Sequence, residues 1–122
     1  SLKSGKVTND LLKACFISIG SVLVDMNLMK ELKLNPNYNL IGDFDLWLRI
    51  SLITEFDYVN TVVEKSRQHG SNLSGKLKYQ WIVEQRKLYK NLFTLLDKSS
   101  LIFLIYYIIK SEIKAIFMRR DV

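Results

Sequence analysis

Cysteine, proline and histidine each occur once in the 122 residues. A lone cysteine, Cys15, leaves no internal disulfide, which argues against a small secreted scaffold and suits a reducing compartment. One cysteine and one histidine, His69, do not assemble a zinc site of the Cys/His type. The sole proline, Pro36, sits in an asparagine-rich stretch at 35–39 and marks a loop. Long hydrophobic runs are missing as well. The longest, Leu101 to Ile109, is too short to span a bilayer as a helix. The first residues lack the order of a signal peptide, and neither repeats nor low-complexity segments are present.

What is there reads as a modest globular domain. Hydrophobic residues make up 48% and charged residues 25%, spread throughout, so a small core is affordable and disorder is not expected. The net charge is +6 and the isoelectric point about 9.5. Such a balance favours phosphate-bearing ligands, anionic lipid or nucleic acid in principle. The basic residues are scattered, however, from Lys3, Lys6 and Lys13 through Arg86, Lys87 and Lys90 to Lys110, Lys114, Arg119 and Arg120. No nucleic-acid motif accompanies them, so they read as solvated helix faces and no nucleic-acid partner is expected.

The patterning predicts a short helix over 8–15, then a buried strand over the β-branched run 16–24. Asp25 offers a cap for a helix through Leu32. After the Pro36 loop, residues 43–52 carry a broad apolar helical face, with Asp43 at the start, where free amides favour a carboxylate. Residues 56–65 read as a second strand, followed by a polar loop from Arg67 to Asn72. Two helices finish the chain, one beginning near 71–74 and the other running from Leu101 to about Arg120. Two isolated strands make no self-sufficient sheet, so the expectation is the edge of a larger sheet, and hence a fragment.

Two segments concentrate the chemistry. One is Asn39-Leu40-Ile41-Gly42-Asp43-Phe44-Asp45-Leu46-Trp47-Leu48-Arg49; the other is Arg67-Gln68-His69-Gly70-Ser71-Asn72-Leu73-Ser74. Together they resemble family 2 glycosyltransferases, where an acidic pair and an aromatic residue precede Asp-Leu-Trp-Leu-Arg, and a strand then leads to Arg-x-His-x-x-Asn-x-Ser. The resemblance covers roughly residues 5 to 74. One departure is Gly42, which stands where the family has a glutamate.

The resemblance implies an α+β fragment of an α/β GT-A fold. It would be mostly helical, with two or three short strands and a carboxy-terminal helical hairpin. Residues 1–74 would be the acceptor-side part of the catalytic domain and residues 75–122 the hairpin packed on it. It implies an inverting transfer of sugar from a nucleotide-sugar donor to a saccharide or lipid-linked acceptor, inactive in the isolated fragment. Asp43 would be the general base, since the attacking hydroxyl must lose its proton to a carboxylate within hydrogen-bond reach. Arg67, His69, Trp47 and Ser21 would line the substrate and diphosphate site. A divalent cation, Mg or Mn, would serve the parent enzyme, with His69 as one ligand and the main Asp-x-Asp motif outside this chain; none is expected bound to the fragment. A bacterial cytoplasmic setting near the inner membrane follows, in cell-surface polysaccharide synthesis.

Plainer readings stand beside these. Asp43 alone would be an ordinary helix-start acid, Asp45 a solvated or capping acid, Trp47 a core residue with a sugar-facing wall as the alternative, and Arg49 an ion-pair partner. Asn72-Leu73-Ser74 fits a helix cap better than a glycosylation site. Gly20 and Ser21 fit a turn as well as an acceptor cleft. The helices over 75–120 carry no chemistry. They complete a core, contact a membrane surface, or pair with a second copy. A helical interaction or membrane-surface module without catalysis is the competing function.

Overall fold

Residues 3–67 and 77–120 are described in the computed structural model, with side chains as far as residue 117. The chain divides into two compact units, the first ending at Arg67.

The first unit is built around one helix. Helix α1, Thr8–Lys13, buries Leu11 and Leu12 completely. A 3-10 turn follows at Ile19–Ser21. Helix α2, Met26–Leu32, begins because the Asp25 carboxylate accepts the Asn27 amide at 2.7 Å. It ends at Lys33, whose φ of 45° lies in the left-handed region. The loop at Pro36 is fixed by Asn35, whose Oδ1 accepts the Asn37 amide at 3.0 Å in a side-chain-closed turn.

Helix α3, Gly42–Ser51, has seven of its ten residues buried, among them Phe44, Leu46, Trp47, Leu48 and Ile50. A helix apolar around most of its circumference belongs inside, and α3 has α1 and α2 packed against it. Thr8 ties its far end. The Ser51 hydroxyl donates to Leu48 O at 2.7 Å, which leaves its oxygen to accept from Thr8 Oγ1 at 3.0 Å.

The expected strands are not formed. Among the described residues there are five α-helices and no strand, so the fold is helical rather than an α/β fragment with short strands. The run 16–24 is extended or bent, interrupted by the 3-10 turn; the run 56–65 is irregular. Among the described residues one isolated bridge occurs, with the Gly5 amide donating to Phe56 O at 2.7 Å and the Phe56 amide donating back to Gly5 O at 3.0 Å. The reason is physical. β-branched side chains favour extended backbone, but a strand also needs a partner to take its ladder hydrogen bonds. Neither run finds one among the described residues. Several of their apolar side chains stay in solvent, with Leu23 and Val62 at 100% and 79% exposure.

The second unit contains helix α4, Lys78–Leu92, and helix α5, Lys98–Arg120, packed on each other. The expected start of α4 near 71–74 falls outside the described residues. Helix α4 buries Ile82, Leu88, Tyr89 and Leu92. Arg86 and Glu112 join the two helices in an ion pair. Helix α5 starts earlier than its periodicity indicated, because Asp97 caps it: its carboxylate accepts the Ser100 amide at 3.0 Å and the Ser99 hydroxyl at 2.7 Å. No helix among the described residues is long and apolar enough to cross a membrane.

Candidate functional site

Helix α3 carries the motif Asp-Phe-Asp-Leu-Trp-Leu-Arg, and the structure sorts its members by role. Asp45 and Arg49, one helical turn apart, form an ion pair of 2.7 Å between Oδ2 and Nη2, reinforced by Arg49 Nε at 2.9 Å. Asp45 is only 4% exposed. The rest of the Arg49 fork is spent on α2: Nη1 donates to Leu32 O, and Nη2 to Lys33 O at 2.8 Å. These are carbonyls that the end of α2 would otherwise leave unpaired. Arg49 thus holds the carboxyl end of α2 against α3, which makes both charged residues structural.

Trp47 is 2% exposed and lies in the core of the first unit. That corrects the reading of Trp47 as a substrate wall: a ring so enclosed offers a sugar no surface. Its indole N–H is buried without a hydrogen-bond partner, as is the Asn9 side-chain oxygen.

Asp43 differs from its neighbours. It lies in the first turn of α3 and is partly exposed, and its Oδ1 accepts the Phe44 amide at 2.8 Å. That bond fixes one oxygen and leaves the carboxylate at the surface of the unit. Gly42, just before it, has ordinary negative-φ geometry, and a Cβ there would meet nothing within 4 Å. The position that holds glutamate in the resembling family therefore has room for a side chain here.

Cys15 shares the surroundings of Asp43. Its thiol donates to Ile17 O at 3.6 Å. The residue as a whole is exposed, yet enough protein surrounds the sulfur to push the thiol up to about 11. Burial is the main cause; the Ile17 contact opposes it, and the negative charge of Asp43 adds to it. Sequence reasoning did not connect the two residues, which are 28 positions apart, and no local pattern would have done so.

The other expected site residues are dispersed or undescribed. Ser21 is exposed on the 3-10 turn, with its hydroxyl donating to Ser18 O at 3.2 Å. The adjoining Gly20 is approached closely by Glu64, whose Oε1 would lie 2.7 Å from an added Cβ. Arg67 is exposed at the end of the first unit. His69 lies outside the described residues, and so does the loop that carries it. Among the described residues no three His, Cys, Asp or Glu side chains are grouped to hold a metal ion. His69, the one ligand that the resemblance assigns to this chain, lies outside those residues.

Comparison with protein-family models, with curated proteins and with solved structures gives no match for this chain.

Proposed function

We propose that this chain is the acceptor-side part of a family 2 glycosyltransferase, with Asp43 as the general base of an inverting transfer. The carrying observation is the division of labour along α3. Asp45, Trp47 and Arg49 are consumed by packing and by the clamp on α2, while Asp43 alone of the two first-turn acids keeps its carboxylate partly in solvent. A base must reach a substrate hydroxyl, and Asp43 meets that requirement where Asp45 does not.

In the proposed step the acceptor hydroxyl oxygen attacks the anomeric carbon of the donor. The bond from that carbon to the diphosphate oxygen breaks as the new glycosidic bond forms. The hydroxyl proton passes to the Asp43 carboxylate, and the nucleoside diphosphate leaves with the bonding electrons. The donor would be held largely by protein outside this chain, and the acceptor, a saccharide or a lipid-linked saccharide, would be presented to Asp43.

The test uses the complete gene product carrying Asp43→Asn. It should bind the sugar nucleotide as the parent does, while its transfer rate falls by about 100-fold to 10,000-fold, the usual contribution of a positioned base. Undiminished turnover would remove Asp43 from this role. A complete product with no sugar-nucleotide affinity would remove the transferase reading itself.

A further inference from the structure

The two helices of the second unit present opposite kinds of surface. Helix α4 is an ordinary amphipathic helix, burying Ile82, Leu88 and Leu92 and exposing Lys78, Gln80 and Lys90. Among its described side chains helix α5 buries Ser100, Leu104, Ser111 and Ala115, half of them serines. Its exposed side holds Ile102, Tyr106, Ile109, Ile113, Ile116 and Phe117, each at least half exposed. At the helical step these six fall within an arc of about 100° and extend for about 22 Å along the axis. Lys110 and Lys114, both exposed, border one edge of the arc, with Lys110 Nζ standing 5.8 Å from the centre of the Tyr107 ring.

We propose that this outward stripe of α5 lies in the headgroup region of an anionic lipid bilayer, with the helix parallel to the membrane plane. Charge and geometry choose this occupant. No helix among the described residues is long and apolar enough to cross the bilayer, and a one-sided apolar face of this length suits a helix lying along it. The stripe is apolar at its centre and lysine-edged, and it carries a tyrosine, whose ring and hydroxyl suit the boundary between acyl chains and headgroups. Anionic headgroups meet little repulsion from the second unit. Glu84 is buried, Glu112 is paired with Arg86, and the ionised Asp97 stands at the start of α5, before the stripe begins at Ile102. Helix α4, packed on α5, exposes Lys78, Gln80, Lys87 and Lys90 beside Tyr79 and Val83, and so supplies much of the solvated face that an isolated interfacial helix would need.

The inference does not depend on the transferase reading, and its test leaves Asp43 untouched. The full chain is sedimented with vesicles of phosphatidylcholine alone and of phosphatidylcholine with phosphatidylglycerol, at low and high salt. Binding to the anionic vesicles, weakened by salt, is expected. Lys110→Ala with Lys114→Ala should weaken it by about 25-fold, at roughly fivefold per near-surface lysine. Ile109→Gln with Ile113→Gln should abolish it while circular dichroism stays at the parent value. Both pairs are exposed, so neither substitution opens the core. Absence of binding to the anionic vesicles would overturn the proposal, as would binding that the isoleucine pair leaves intact. A soluble dimer that this pair splits, with no vesicle binding by the parent, would assign the stripe to a second copy and equally overturn it.

Discussion

Asp43 can be followed through its neighbour, because a thiol reports the charge beside it. The Cys15 thiol is pushed up to about 11, with burial the main cause and the Asp43 charge an added one. Only the thiolate attacks an alkylating reagent, so Cys15 should react slowly with iodoacetamide at pH 8 despite its exposure. Asp43→Asn removes a nearby negative charge, and the midpoint of the alkylation rate against pH should then move down. A midpoint unchanged by Asp43→Asn would mean that the two groups do not share an environment. The partner substitution Asp45→Asn should move it less, since the Asp45 charge is already compensated by Arg49 at 2.7 Å. Because this readout needs no substrate, it examines the placement of the candidate base separately from its chemistry.

At the scale of elements, the contact between α2 and α3 turns on Arg49. Removing its guanidinium leaves the buried Asp45 carboxylate unpaired and two carbonyls at the end of α2 without their donor. Arg49→Ala should therefore cost about 3–5 kcal/mol in urea unfolding, the range for breaking one side of a buried pair. Lys33 acts in the other direction. Its positive φ is strained for a residue with a Cβ, so Lys33→Gly should stabilise the chain by about 1 kcal/mol while keeping the carbonyl that Arg49 holds. Failure of Arg49→Ala to lower the unfolding midpoint would show that the clamp is incidental. These elements also show what local sequence conveys. The caps at Asp25 and the turn at Pro36 are set by residues within a few positions of each other, so α2 and its loop were readable. Arg49 is the ion-pair partner its sequence suggested, but Asp45, read as a solvated or capping acid, is instead buried as its mate. Strands at 16–24 and 56–65 were not readable, because their existence depends on a distant partner and β-branched composition is silent about one. Helix α5 was legible as a helix, yet its periodicity did not reveal which apolar face turned inward. Leu104 and Ile105 are adjacent in sequence, and one is buried while the other is 44% exposed.

At the scale of the molecule, two described groups, one in each compact unit, have protonation coupled to folding, and they act at opposite ends of the pH scale. Asp97, in the second unit, is held below the usual carboxylate range, first by the Ser100 and Ser99 hydrogen bonds to its side chain. A depressed folded-state pKa means that its contribution is complete above the unfolded value of 3.8 and is lost as pH falls through the lower folded value. Cys15, in the first unit, is raised from 9.0 to about 11. Its neutral form is the one the fold favours, so its contribution is complete below 9.0 and disappears as pH rises towards 11. Unfolding free energy measured against pH should thus decline below about pH 4 through the second unit and above about pH 9 through the first. Two substitutions separate these limbs from the background titration of other groups. Asp97→Asn keeps an oxygen that can cap α5 but removes the titration, so the difference between variant and parent should shrink as the pH drops below 4. Cys15→Ser removes the raised thiol, and its curve should lie closer to the parent at pH 11 than at pH 8. If the Cys15→Ser curve instead ran parallel to the parent across the alkaline range, the sulfur would be free of the burial and of the Asp43 charge. The placement of that carboxylate beside Cys15 would fall with it.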